Sequence, residues 1–134
     1  FWEVSGADNV VIRRLHSNAG TLQGIATNLK KSTTDVHRKP CLYPWERIIL
    51  HPQGFLSFCP VDWINASALT DFRTATIRDT WQGEQYRRLR QSHLNNDFSE
   101  HSFCGQCPDW STTRWPEEGR SYANVVEEFL EQTG

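Results

Sequence analysis

The chain has 134 residues, a hydrophobic content of 37% and a formal net charge of −2. With a pI near 6.2 and a mean hydropathy of −0.62, this composition excludes a general attraction to nucleic acid or anionic lipid. No stretch has the apolar length of a membrane span, and residues 1–20 lack the charged start and apolar run of a secretion signal. We therefore expect a soluble, cytoplasmic protein with neither a nucleic-acid nor a membrane partner.

The first third of the chain predicts little regular structure. It begins with Phe1 and the sequence contains no methionine, which indicates a fragment of a longer protein. The apolar run at residues 9–12 predicts one buried strand, and a single strand needs partners elsewhere. Ser, Thr, Asn and Lys dominate residues 21–39, so we expect a linker or mobile surface loop there.

A β-hairpin is predicted between Cys41 and Cys59. Two short runs of β-forming residues, 47–50 and 55–58, flank His-Pro-Gln-Gly, in which Gly54 can supply the positive φ of a tight turn. A turn centred on this segment places Cys59 opposite Arg47, and the connector after Cys41 can return that cysteine to the same end of the hairpin.

Downstream of the hairpin the clearest element is a helix that starts at Thr76. Its hydroxyl can cap the amide near Asp79, and apolar side chains then recur at helical intervals up to residues 95–97. Gly83 weakens this helix by about 1 kcal/mol relative to alanine, so either a kink or a close backbone approach is expected there. Residues 65–73 are expected to be irregular, residues 101–108 to form a loop that carries Cys-Gly-Gln-Cys, and residues 121–132 to form an amphipathic packing helix.

The chemistry of the chain rests on its four cysteines, Cys41, Cys59, Cys104 and Cys107. Two disulfides are possible in a secreted protein, but the lack of a signal favours metal ligation by reduced thiols. Structural zinc usually takes two close cysteine pairs, whereas only the second pair is close here. Zinc therefore fits less well than an iron–sulfur cluster, although both remain open at this point.

The spacing also matches a family pattern. Cys41 is followed by twelve residues, Gly54, four residues and Cys59, and a Cys-x-x-Cys follows later. This resembles the SPASM domain, the auxiliary iron–sulfur domain found at the C-terminus of many radical S-adenosylmethionine (radical SAM) enzymes. Further agreement comes from Pro44-Trp45, Asp62, Trp81-x-Gly83 and Arg90. The segment around residues 9–20 similarly looks like the closing strand and exit loop of the radical SAM barrel.

The resemblance implies an α+β fold in which a small β-hairpin and helices surround the cluster, preceded by the last strand of a missing radical SAM barrel. Residues 1–39 are then the end of the barrel and a polar linker, and residues 40–134 are the auxiliary domain. It also implies that Cys41, Cys59, Cys104 and Cys107 hold a [4Fe-4S] cluster, with S-adenosyl-L-methionine bound in the barrel. The expected partners are that barrel and a peptide, sugar or other small-molecule substrate of an oxidoreductase.

Two departures from the family pattern limit this prediction. No cysteine follows Cys107, so the chain supports one cluster and resembles the shortened, single-cluster members. The Cys-x-x-x-Cys-x-x-Cys motif that holds the SAM-cleaving cluster is also absent, so no catalytic residue is predicted in this chain. The alternative function is an interaction module without catalysis, stabilised by zinc on the four cysteines.

Three other polar features allow both a structural and a functional interpretation. His101 could replace a cysteine as ligand, but a loop histidine is more often solvated. Asp62 could orient a substrate or cluster loop, or cap a turn. Among the arginines of the predicted helix, Arg90 is expected to pair inward, and Arg87 and Arg88 to form a solvated face.

Overall fold

The computed structural model describes residues 6, 8, 15–34 and 37–112. Two helices precede three consecutive strands in this part of the chain and three helices follow them, a segregation that is typical of an α+β fold. The helices are α1 (Gln23–Ser32), α2 (Tyr43–Glu46), α3 (Ile77–Gln82), α4 (Glu84–Asn95) and α5 (Ser102–Gln106), followed by a 3₁₀ turn at Asp109–Thr112. The strands are β1 (Ile49–Leu50), β2 (Phe55–Ser57) and β3 (Ala68–Asp71). The predicted fold class is confirmed, whereas the predicted strand at residues 9–12 and helix at residues 121–132 lie outside the described residues.

The predicted hairpin is present as β1 and β2. Its antiparallel register pairs Ile49 with Ser57, and the same register continued outward brings Cys59 level with Arg47. The turn closes through Gly54, which has a φ of +91° and donates its N–H to the His51 carbonyl over 2.8 Å. Only a residue without a Cβ adopts this φ at low cost, which explains the glycine in the turn.

The expectation that residues 65–73 are irregular is wrong. β3 pairs antiparallel with β2, giving a three-stranded sheet in the order β1-β2-β3. Its sequence, Ala-Leu-Thr-Asp, lacks a clear apolar alternation, and all four residues are only half-buried. β3 therefore forms because its backbone hydrogen-bonds to the edge of β2 that β1 does not cover. This stabilisation comes from a neighbouring strand and cannot be seen in the sequence of β3 itself.

The predicted helix starts at Thr76 with a capping box, as expected. The Thr76 hydroxyl accepts the Asp79 N–H over 3.1 Å, and the Asp79 carboxylate accepts the Thr76 N–H over 3.2 Å. Gly83 then breaks the helix into α3 and α4, because its backbone is extended at φ −74° and ψ 168°. α4 ends at Asn95, and Asn96 adopts the left-handed conformation typical of a helix C-terminus.

Replacing Gly83 by alanine is expected to destabilise the protein, although alanine is the better helix former. A Cβ at Gly83 would lie 2.5 Å from the Asp79 carbonyl oxygen, which is helix backbone and cannot rotate away. We expect a loss of about 1–3 kcal/mol in the free energy of unfolding, measured by urea denaturation.

Gly24→Ala is the matched control for this substitution. Gly24 lies in α1 and nothing surrounds the position of its Cβ within 4 Å, so this substitution is expected to be neutral or stabilising. Equal effects of the two substitutions would contradict the structural role of Gly83.

The polar stretch before Cys41 is not simply a linker, since α1 occupies its first half. The segment that leads into α1 is fixed by Asp109, whose two carboxylate oxygens accept the N–H groups of Ser17 and Ala19 over 2.6 and 2.7 Å. Ser17, Ala19 and Asp109 are all buried. A contact spanning some ninety residues thus anchors a helix that its own composition does not predict.

The core of the described residues lies between the sheet and α4, and two cysteines belong to it. The buried cluster consists of Phe58, Cys59, Tyr86, Leu89 and Cys104. Tyr86 is fully buried and donates its hydroxyl to the Arg47 carbonyl over 3.0 Å, which ties α4 to the start of β1. No helix within these described ranges is long and apolar enough to cross a membrane. The hydrophobic core and the predicted cysteine site are therefore continuous.

Candidate metal centre

The four cysteines come from three places in the fold. Cys41 precedes α2, and Cys59 follows β2 at the open end of the hairpin. Cys104 lies within α5 and Cys107 directly after its last residue, so the predicted loop at residues 101–108 is largely helical. None of the four forms a disulfide, and Cys59 and Cys104 are buried while the other two are half-buried.

The helical turn at α5 depends on a close backbone contact. Phe98 precedes α5, and a Cβ at Gly105 would lie 3.0 Å from the Cβ of Phe98. The middle glycine of Cys-Gly-Gln-Cys therefore allows α5 to pack against this aromatic residue. A sequence pattern of glycine and cysteine alone favours a loop, which is why the helix was not predicted.

The four thiols lie close enough to interact electrostatically. Cys41 interacts with each of the other three, and Cys59, Cys104 and Cys107 interact with one another. The fold therefore brings together the cysteines that the sequence singled out. In the described ranges, no group of three or more His, Cys, Asp or Glu side chains is arranged to hold a single metal ion.

Burial controls the protonation of these thiols. It raises the pKa of Cys59 to about 12 and that of Cys107 to about 11, and it also raises the pKa of Cys104. Backbone hydrogen bonds oppose the effect of burial. The Val61 N–H donates to Cys59 and the Asp109 N–H donates to Cys107, and each bond lowers the pKa of the thiol that accepts it. Without a metal these three thiols are protonated at neutral pH, so metal binding must release their protons.

Three buried nitrogen atoms around the cysteines have no hydrogen-bond partner among the described residues: Arg38 Nε, His93 Nε2 and His101 Nε2. Buried polar atoms are normally paired, so this grouping calls for a partner that protein atoms do not supply. Sulfide and thiolate sulfurs accept hydrogen bonds, and such bonds are an established feature of iron–sulfur sites. The residues present therefore fit a sulfur-containing cluster.

His93 connects α4 to the first cysteine. Its Nδ1 accepts the backbone N–H of Cys41 over 3.4 Å, and its ring packs edge-on against Trp45 and Phe98. Burial lowers the pKa of His93 to about 3, so the ring is neutral at physiological pH. With Nδ1 as acceptor, the single ring proton lies on Nε2, which makes it one of the unpaired donors.

Arg38 reaches the second cysteine pair through the backbone of α5. Its Nη2 donates to the Cys104 carbonyl over 2.8 Å and its Nη1 to the Gly105 carbonyl over 3.2 Å. The guanidinium lies 4.0 Å from the centre of the Phe98 ring. Neither Arg38 nor His93 can be recognised from the sequence, because each is more than fifty residues from its cysteine partner and neither belongs to a recognisable motif.

Asp62 and Arg90 have structural roles. Asp62 is buried and accepts the N–H groups of Ile64 and Ser67 over 3.2 and 2.5 Å, so it organises the loop between β2 and β3. Arg90 points inward as expected, donating to the carbonyls of Pro44 and Trp81 over 2.9 and 3.1 Å.

For the remaining arginines and His101, one expectation is confirmed and one is wrong. Arg87 and Arg88 are solvated and pair with Glu84, as predicted. His101 differs from expectation, since it is half-buried and its Nε2 is enclosed.

The fold and the site define a small α+β domain that brings four cysteines close together. The model of the SPASM family, described as an iron–sulfur cluster-binding domain, matches residues 41–108, which include all four cysteines. This match covers just over half of the chain, and the chain belongs to the SPASM family. Comparison with curated proteins and with solved structures gave no match.

Proposed function

We propose that Cys41, Cys59, Cys104 and Cys107 together hold one [4Fe-4S] cluster. The observation that carries this proposal is the convergence of four interacting thiols, none of them in a disulfide, within the part of the chain that matches an iron–sulfur family. Four thiolates satisfy the four irons of a cubane, which leaves no open position for a substrate. The unpaired nitrogens of Arg38 and His93 add N–H donors suited to sulfur.

We further propose that the chain is the auxiliary domain of a larger radical SAM enzyme. SPASM domains occur in such enzymes, and the missing barrel would bind S-adenosyl-L-methionine and abstract hydrogen from a peptide, sugar or other small molecule. When bound, the auxiliary cluster supplies one-electron chemistry. The residues of this chain would hold the cluster, set its potential through burial and hydrogen bonds, and shape part of the substrate pocket.

The metal content of the protein tests the first proposal. Protein prepared without oxygen is expected to be brown and to contain about 4 iron and 4 sulfide per chain. Colourless protein with one tightly bound zinc would instead establish the alternative, a zinc-stabilised interaction module.

The absence of the three-cysteine motif leads to a second expectation. The isolated chain, with its cluster reduced, should form no 5′-deoxyadenosine from S-adenosylmethionine, since all four cysteines serve the auxiliary cluster. Chromatographic analysis of the reaction mixture measures this, with a complete radical SAM enzyme as the positive control. Detectable 5′-deoxyadenosine would mean that the cluster has an open iron and that its ligands are misassigned.

A further inference from the structure

Arg38 is fixed beside the cysteines by contacts on several sides. Its two terminal nitrogens donate to the carbonyls of Cys104 and Gly105, and the Phe98 ring covers one face of the guanidinium. A planar guanidinium held by two carbonyls and an aromatic ring has little freedom to move. The position of this positive charge is therefore set by the fold.

The charge of Arg38 has an unusual environment. Among residues 15–34 and 37–112, no carboxylate forms an ion pair with it, and its buried Nε has no hydrogen-bond partner. Arginine stays protonated in proteins, so the site contains a partly buried cation under all conditions. Such a cation is costly unless an anion compensates it.

Metal binding changes this balance of charge. A metal centre held by four thiolates is anionic, and a reduced cluster carries one more negative charge than an oxidised one. A fixed cation nearby therefore favours the bound state over the empty one, and the reduced state over the oxidised one.

We propose that Arg38 is a positioning residue that compensates the charge of the metal–thiolate centre and raises its reduction potential. For the iron–sulfur cluster this inference rests on the proposed function above. The same charge argument applies to any metal that the four thiolates bind, so the inference can be tested apart from that function.

The reduction potential of the loaded protein is the first readout. Arg38→Gln removes the charge, and we expect it to shift the equilibrium towards the oxidised cluster at least tenfold, a decrease of about 59 mV for one electron. Arg38→Lys keeps the charge and should remain closer to the wild type. Arg87→Gln, which removes an exposed arginine that pairs with Glu84 on α4, should not change the potential.

Several results would overturn the inference. An unchanged potential in Arg38→Gln would show that the charge is ineffective, and equal shifts in the Gln and Lys variants would assign the effect to the hydrogen bonds instead. Loss of the folded circular dichroism spectrum in metal-free Arg38→Gln would make the residue purely structural, because the proposed role needs a bound metal.

Binding of Co²⁺ to the metal-free protein separates this inference from the proposed function. A single ion requires the thiols to move closer together, because among the described residues no group of three or more is arranged to hold one. Thiolate-to-cobalt absorption reports binding, and we expect Arg38→Gln to bind at least tenfold more weakly than the wild type and Arg87→Gln to bind equally well. If the wild type takes up Co²⁺ but assembles no cluster, the proposed function fails while the Arg38 inference is still decided by this ratio. If the wild type binds neither, both fail.

Discussion

Replacing Cys104 by alanine is expected to remove the cluster and to lower the thermal stability of the protein in the same step. Cys104 lies in α5 and its sulfur belongs to the buried core, whereas Cys41 and Cys59 come from the hairpin region more than forty residues earlier. A centre that joins such distant segments stabilises the folded state by its binding free energy. Iron should fall from about 4 per chain to below about 1, and the same is expected of Cys107→Ala.

The metal-free protein provides the internal control for this prediction. Without metal, Cys104→Ala removes only one sulfur from the core, so the thermal midpoint should differ far less from the wild type than it does after cluster assembly. His101→Ala should leave iron content and stability nearly unchanged, because a single hydrogen bond between the enclosed Nε2 and the cluster would contribute far less than a thiolate ligand. Loss of the cluster in His101→Ala, with retention in a cysteine variant, would contradict the ligand assignment.

The second large effect is expected from Leu89→Ala. Leu89 is fully buried on α4 and packs in the same cluster as Cys59 and Cys104. Truncation of a buried leucine removes hydrophobic burial and leaves a cavity, which costs about 2–5 kcal/mol of unfolding free energy. Because the cavity opens in the core that holds these two cysteines, we also expect the cluster to be lost faster in the presence of a chelator.

Leu15→Ala is the matched control, since Leu15 is 69% exposed. Its unfolding free energy, measured by urea denaturation, should change by about 0.5 kcal/mol or less. Similar costs for the two leucine variants would mean that the core is not centred on the cysteines.

Features that depend on neighbours in sequence could be predicted without the structure. The hairpin follows from Gly54 between two β-forming runs, and the start of α3 follows from the Thr76 and Asp79 capping box. The four cysteines were identified because their spacing is a one-dimensional pattern. For the hairpin and the helix start, the determining residues lie within a short window of sequence.

Features that depend on distant contacts could not be predicted in this way. The segment before α1 is anchored by Asp109, and β3 is held by the edge of β2. Arg38 and His93 acquire their roles only because folding places them beside cysteines far along the chain. Gly83 shows the same limit, since only the position of the Asp79 carbonyl reveals why alanine, the better helix former, is excluded.

Native mass spectrometry of the protein, isolated without oxygen, tests the central claim most directly, because it weighs the intact chain with its metal. We predict one dominant species whose mass exceeds that of the polypeptide by about 4 iron and 4 sulfide, and whose extra mass disappears in Cys104→Ala. A species carrying a single zinc, or a cluster that persists in the Cys104→Ala variant, would contradict a cubane held by Cys41, Cys59, Cys104 and Cys107.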